Sequence, residues 1–366
     1  MYELTNEQRK CFALTLVQEN WERVLLKPAP CDDFDTVAYV DGTVIRKCVQ
    51  SGKKRYIETD YCEPVSDDIS TLLPLTQKGK PQKLTAASLT KRQGRGMCLQ
   101  FDGQYISLFS YVSEKYYYSN VHDSDLPDRF CESSIDYFSA WVDAWCADTS
   151  EGDISDVAAF ANENRSHVKY KEGDVFRFKI GRRQYGFGRI LLDYNRLRRE
   201  KKPFWDILMS TAIVVSVYHV ISDTPDISVG ELKNKKSLPS CTIADNRVFY
   251  GEYEIIGNIP IGTAEDYPIM FGHSLSAGDD AVCLQYGETY IRREKGTCFG
   301  NFLNHGVGFS LSFKTEILRE CIDSNSNTPY WERGGYRTDG DLRNPKYKQQ
   351  LETVCRHYGI SVPENK

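Results

Sequence analysis

From Gly173 to Leu192 the chain reads GDVFRFKIGRRQYGFGRILL. Phe176, Phe178 and Ile180 alternate with Val175, Arg177 and Lys179, the period of two expected of a half-buried strand. Gly181, Arg182 and Arg183 interrupt it as a hairpin connection. The return strand carries Tyr185, Gly186, Phe187, Gly188 and Arg189, then the apolar run Ile190 to Leu192. Glycines on both sides of Phe187 predict a bulge, a bend or a close approach by another backbone. Nearer the N-terminus the same period predicts strands at Val37–Val40, Val44–Val49, Met97–Phe101, Tyr105–Tyr111 and Tyr116–Tyr118. Asp41-Gly42 and Asp102-Gly103 serve as hairpin turns, and Thr76 to Leu84 reads as a polar, basic loop. The apolar stretch Ile207 to Ile221 predicts a buried strand. Val248–Tyr250 and Tyr253–Ile256 predict two more, broken at Gly251 and Gly257.

Helical patterns occur in five places. Thr5 and Gln8 form a capping box for a short helix through about residue 13. Ile135, Phe138, Trp141, Val142 and Trp145 recur at helical spacing behind Ser133 or Ser134 as cap. A second helix follows Gly152 through Val157, Ala158, Phe160 and Ala161. Pro345 opens a final helix whose apolar face is Tyr347, Leu351, Val354, Cys355 and Tyr358, and Gly359 ends it. Strands at Ala281–Leu284 and Val307–Phe313, a short helix over Glu316–Cys321 and a loop from Asp323 to Asn344 complete the pattern. These elements predict an α+β chain, mostly antiparallel β in two or more domains, with a helical insert and a C-terminal helix. The expected division is a β-rich domain over residues 1–165 ending in two helices, and a β domain over 166–366 with a C-terminal α/β extension.

Composition adds limits. The 366 residues are 40% hydrophobic and 27% charged, ordinary values for chains that bury cores. The 23 tyrosines favour strands and also interfaces. Met1 to Lys10 carries no basic segment followed by an apolar one, and the longest apolar run is broken by Ser210, Thr211, Ser216 and His219. A soluble, cytoplasmic protein without a membrane partner is expected. None of the twelve cysteines stands at CxxC spacing. Cys11, Cys48, Cys98, Cys146, Cys241, Cys283 and Cys355 lie in apolar or amphipathic contexts typical of free structural thiols.

Charge is unevenly placed. Net charge is −5, yet Asp123 to Glu163 holds eleven acids against Arg129 alone. Asp136, Asp143, Asp148, Glu151, Asp153 and Asp156, on the expected helices, are the candidate partner-binding residues. The next stretch, from Arg165 to Lys202, reverses with thirteen bases against four acids. An acidic face repels nucleic acid and attracts a basic protein, and such steering raises association rates by about 10- to 1000-fold at low salt. A solvated or self-paired charge pattern explains the same letters.

The glycine and aromatic positions resemble the Immunity protein 26 family, small and mostly β proteins encoded beside bacterial polymorphic toxins. The resemblance rests on Gly173, Asp174, Val175 and Phe176, on Tyr185, Gly186, Phe187, Gly188 and Arg189, and on Gly251 and Ile255-Ile256-Gly257. It covers about residues 168–262. It implies a non-catalytic protein without cofactor or metal that occludes a co-encoded toxin, and a nuclease toxin would supply the basic partner that the acidic helices fit.

Two other readings stand beside it. Arg182, Arg183 and Arg189 with the rings of Tyr185 and Phe187 make a candidate RNA-binding module. Cys298 and His305, with Asp279 or Asp280 to orient the histidine, make a candidate cysteine hydrolase or transferase. His219, in an apolar strand, reads as a hydrogen-bonded core histidine. Phosphate-loop, dinucleotide, HExxH and GxSxG spacings do not occur.

Overall fold

The computed structural model describes residues 1–28, 33–103, 105–120, 134–202, 212–263, 265–273, 281–293, 331 and 341–362. The chain divides into two compact units, Met1–Ser166 and His167–Lys366. Antiparallel pairing joins the strands of both, so the α+β, mainly antiparallel class read from the pattern holds.

The first unit is built on a seven-stranded sheet in the order β1-β2-β3-β4-β7-β8-β9. These strands are β1 (Glu22–Leu26), β2 (Phe34–Asp41), β3 (Val44–Gly52), β4 (Arg55–Pro64), β7 (Arg95–Phe101), β8 (Ile106–Ser110) and β9 (Lys115–Ser119). One face is covered by α3 (Ile135–Ala147) and α4 (Glu151–Ala161), capped by Ser134 and Ser150. Phe138 drives that packing, with Tyr56 4.9 Å and Phe101 5.1 Å from its ring centroid. The other face takes a two-stranded hairpin, β5 (Thr71–Leu72) with β6 (Gln82–Lys83), and the single turn α2 (Ala86–Leu89). Leu72 and Leu89 pack there on Ile45, Cys48 and Tyr61.

The N-terminal capping box of Thr5 and Gln8 forms, but its helix α1 (Asn6–Lys10) ends sooner than the pattern predicts. Strand β4 carries no strand prediction at all. Its inward positions include Glu58 and Asp60, and buried charges erase the apolar alternation on which such a prediction depends.

The second unit holds a five-stranded sheet in the order β13-β12-β11-β10-β14. The strands are β10 (Asp174–Lys179), β11 (Tyr185–Asp193), β12 (Ala212–Ser222), β13 (Cys241–Ala244) and β14 (Glu254–Asn258). Short helices α5 (Tyr194–Arg199), α6 (Val229–Leu232) and α7 (Asn246–Phe249) connect them. Val248 and Phe249, read as strand, are helical. Strands β13 and β14 lie at opposite edges, so residues 245–253 must cross four strand spacings, about 19 Å. A segment lying over the sheet face has no ladder to join and satisfies its backbone locally. Val248 and Tyr253 then pack down onto Phe176 and Phe178. Gly257, read as a break, lies inside β14.

A three-stranded sheet of β15 (Ile269–His273), β16 (Val282–Tyr286) and β17 (Thr289–Arg293) completes this unit. The expected C-terminal helix, α8 (Lys348–Tyr358), buries Leu351, Val354, Cys355 and Tyr358 against Phe271, Val282 and Leu284. Gly359 ends it at φ +69°. The strand at Val307–Phe313, the helix at Glu316–Cys321 and most of the following loop fall outside the described residues.

Candidate partner-binding surfaces

Of the residues that carry the family resemblance, Gly173 to Phe176 and Gly186 to Gly188 are buried, and Tyr185, Arg189, Gly251 and Ile255 to Gly257 are half-buried. Phe176 and Phe187 are fully buried. In the β10–β11 pair Phe176 stands opposite Gly188 and Phe178 opposite Gly186. A Cβ on Gly188 would lie 2.4 Å from the Phe176 ring and 2.9 Å from the Ser216 carbonyl; one on Gly186 would lie 2.6 Å from the Phe178 ring. The absent side chains are therefore the space into which the two rings lie. The register shift between Gly186 and Gly188 on the β12 side is the expected bulge.

The remaining motif positions act locally. Gly173, at φ +86°, leaves room for the Ile259 carbonyl, and Asp174 accepts from the Lys171 backbone and the Asn258 amide at 2.8 Å each. Gly257 abuts Val229, and Gly251 at φ +71° turns the chain after α7. Tyr185 is half-buried and Arg189 is paired with Glu265.

The acidic candidates come together on two consecutive helices. Asp136, Asp143 and Asp148 lie on or just after α3, and Glu151, Asp153 and Asp156 lie on α4. All are exposed except Asp153, which is half-buried and closes the Ser150 capping box. Asp143 accepts from Gln8 at 2.9 Å and Asp156 from the Tyr117 hydroxyl at 2.8 Å. Two apolar side chains stand exposed among them, Tyr137 at 37% and Ile154 at 38%. An exposed tyrosine on an acid-rich helix has the composition of a protein contact.

Sequence reasoning missed a charge network under the N-terminal segment. Lys47 and Glu58 are fully buried, with Arg9 and Asp60 nearly so. The Glu58 carboxylate holds Arg9 Nε and Lys47 Nζ at 2.7 Å each and accepts from the Tyr56 hydroxyl at 2.5 Å. Lys47 also pairs with Asp60 at 2.6 Å, and the Thr15 hydroxyl donates to Asp60 at 2.6 Å. Burial pushes the Glu58 carboxyl up, but Lys47 and Arg9 outweigh it and hold its pKa below the ordinary value. Two acids and two bases leave the cluster neutral, which is what allows it to be buried. Charged letters two apart, at Glu58 and Asp60, were the available signal.

Several bases of the stretch are paired within the second unit. Arg177 pairs with Glu254 at 2.7 Å, Arg196 with Glu172 at 2.8 Å, Arg199 with Asp193 at 3.1 Å and Lys202 with Glu288 at 2.6 Å. Phe187 is buried and cannot stack on a base, so the hairpin loses one of its two expected rings. His219 is half-buried rather than core.

Burial pushes the Cys48 thiol up to about 12 and those of Cys98 and Cys355 up to about 11, far from a thiolate at neutral pH. Cys298, His305, Asp279 and Asp280 fall outside the described residues. Among the described residues no cluster of three or more His, Cys, Asp and Glu could hold a metal, and no helix is long and apolar enough to cross a membrane.

Compared with known families, residues 171–282 match the model described as Immunity protein 26. The matched segment is under a third of the chain. It contains the five-stranded sheet and ends at the first residue of β16. No curated protein and no solved structure matches the chain.

Proposed function

We propose that this is a non-catalytic immunity protein of a bacterial polymorphic-toxin system, which binds a cognate toxin in the cytoplasm and neutralises it by forming a stoichiometric complex. The observation that carries the reading is the family match over residues 171–282. The motif residues inside that segment are committed to packing, so they supply a scaffold and leave contact to exposed side chains. The acidic pair α3–α4, with Tyr137 and Ile154 as apolar anchors, is the contact surface in this reading, and its partner is basic. A nuclease fits that partner, because a site that holds phosphates is itself cationic.

Co-expression tests it. Cells producing the protein encoded immediately upstream should survive only when this chain is present, and the two should co-purify in equal amounts. Absence of both protection and complex removes the proposal.

A further inference from the structure

A second polarity lies on the opposite face of the first sheet. Cys48 packs under the β5–β6 hairpin, on the face away from α3 and α4. The register carries that face across the sheet through Cys48 opposite Thr59, Thr59 opposite Cys98, Cys98 opposite Phe109 and Phe109 opposite Tyr116. Directly paired residues in a sheet point the same way. Phe109 and Tyr116 therefore share a face with the hairpin.

Three rings gather at that end. Phe109 lies 5.0 Å from Tyr116 and 5.3 Å from Tyr111, centroid to centroid. Tyr116 is 40% exposed and the adjacent Val112 41%. The backbone of Gly94 lies directly against Tyr111, where a Cβ would come within 2.4 Å of the ring. That contact brings the loop of Lys91, Arg92 and Arg95 beside the aromatics. Arg92 in turn reaches Gln82 of β6 at 3.1 Å, which joins the loop to the hairpin that bears Lys78, Lys80 and Lys83.

The cations on this strip are available. Among the described residues Lys78, Lys80, Lys83, Lys91 and Arg95 form no ion pair, and all five are exposed. Of the acids of residues 63–95, Glu63 is paired with Arg92, Asp68 is held by Ser66 and Ser70, and Asp67 is the third; Glu114, in the turn between Tyr111 and Tyr116, is paired with Arg165. Residues 63–95 thus carry six bases against three acids in a chain of net charge −5.

We infer that this face of the first unit binds single-stranded nucleic acid, with phosphates along the cationic loop and hairpin and bases against Tyr116 and Phe109. An acidic peptide would use the cations but not the rings. Rings joined to unpaired cations are what a flexible strand with a base on every phosphate requires. This surface lies on the sheet face away from the acidic helices and shares no residue with the Arg182–Arg183 hairpin of the second unit, so its test is independent of the immunity role.

Fluorescence anisotropy of the full chain with labelled U-rich RNA and oligo-dT is the experiment. Engagement of about four phosphates should weaken affinity about 50-fold between ~50 and ~200 mM salt, since each contributes a slope of about −0.7 for single strands. The combined change Lys80→Glu, Lys83→Glu and Lys91→Glu should abolish binding at the lower salt. Tyr116→Ala should weaken it about tenfold with the salt slope unchanged. Arg182→Glu with Arg183→Glu should leave it intact. No binding at low salt, binding that survives the triple lysine change, or binding lost through the Arg182–Arg183 pair would each overturn the inference. So would salt-sensitive self-association that the triple change removes without any oligonucleotide binding, since the cations would then be serving the acidic helices of a second copy.

Discussion

The two principal sheets are both antiparallel, yet different forces fix their interiors. The seven-stranded sheet buries four charged groups, Arg9, Lys47, Glu58 and Asp60, whose cost is offset by mutual pairing and by the hydroxyls of Tyr56 and Thr15. The five-stranded sheet is locked by shape, with Phe176 and Phe178 lying in the spaces left by Gly188 and Gly186. A charge network is all-or-none, because losing one member strands the others. A ring over a glycine is graded, because a methyl group shifts a neighbour before it breaks anything. The family model recognises only the second kind of interior, and there the fold is written in a few glycine and aromatic letters.

The contrast is sharpest at Glu58. Glu58→Ala leaves Lys47 and Arg9 buried without their shared partner and should destabilise the first unit by about 3–5 kcal/mol; urea unfolding followed by fluorescence reads this. A loss under about 1 kcal/mol would mean that the network is solvated in solution. Gly188→Ala, by adding one methyl under Phe176, should cost about 1–3 kcal/mol. Gly181→Ala, with nothing within 4 Å of its Cβ, should stay within about 0.5 kcal/mol. Equal effects at the two glycines would dismiss the interlock.

Acid sharpens the same comparison. The folded-state pKa of Glu58 is depressed, so its contribution is complete above the ordinary carboxylate pKa of about 4.3 and is lost as pH falls through the folded value. Stability of the wild-type chain should therefore decline more steeply below about pH 4 than that of Glu58→Gln, as measured by unfolding at a series of pH values. The smallest effect on stability is expected on the helices. Asp136→Lys with Glu151→Lys should change it by under about 0.5 kcal/mol, while slowing association with a basic partner about tenfold at low salt in stopped-flow mixing.

Legibility followed the same divide. The hairpin at Gly173–Leu192 could be read in detail because its inward positions are apolar and its turns are glycine. The capped helix α3 and the apolar face of α8 were equally plain. Strand β4 was hidden because Glu58 and Asp60 occupy inward positions, and a period-two search counts them as outward. Helix α7 was misread because Val248, Phe249 and Tyr250 favour strands locally, whereas their conformation is set by the need to cross the sheet. Of the candidate surface, the exposed acids were visible as letters. Of the aromatic and basic strip only the basic loop Thr76 to Leu84 was visible, since Phe109, Tyr111 and Tyr116 come to its face only through the β4–β7–β8–β9 register.

The central claim is that this molecule acts by occupying a partner. Titration calorimetry of the intact chain into the upstream-encoded protein, repeated with Asp136→Lys and Glu151→Lys together, tests it most directly. The account expects one-to-one saturation, loss of toxin activity in step with occupancy, and weaker binding by the charge-reversed chain. Toxin that loses activity at a small fraction of equivalence, or that never binds, would contradict it.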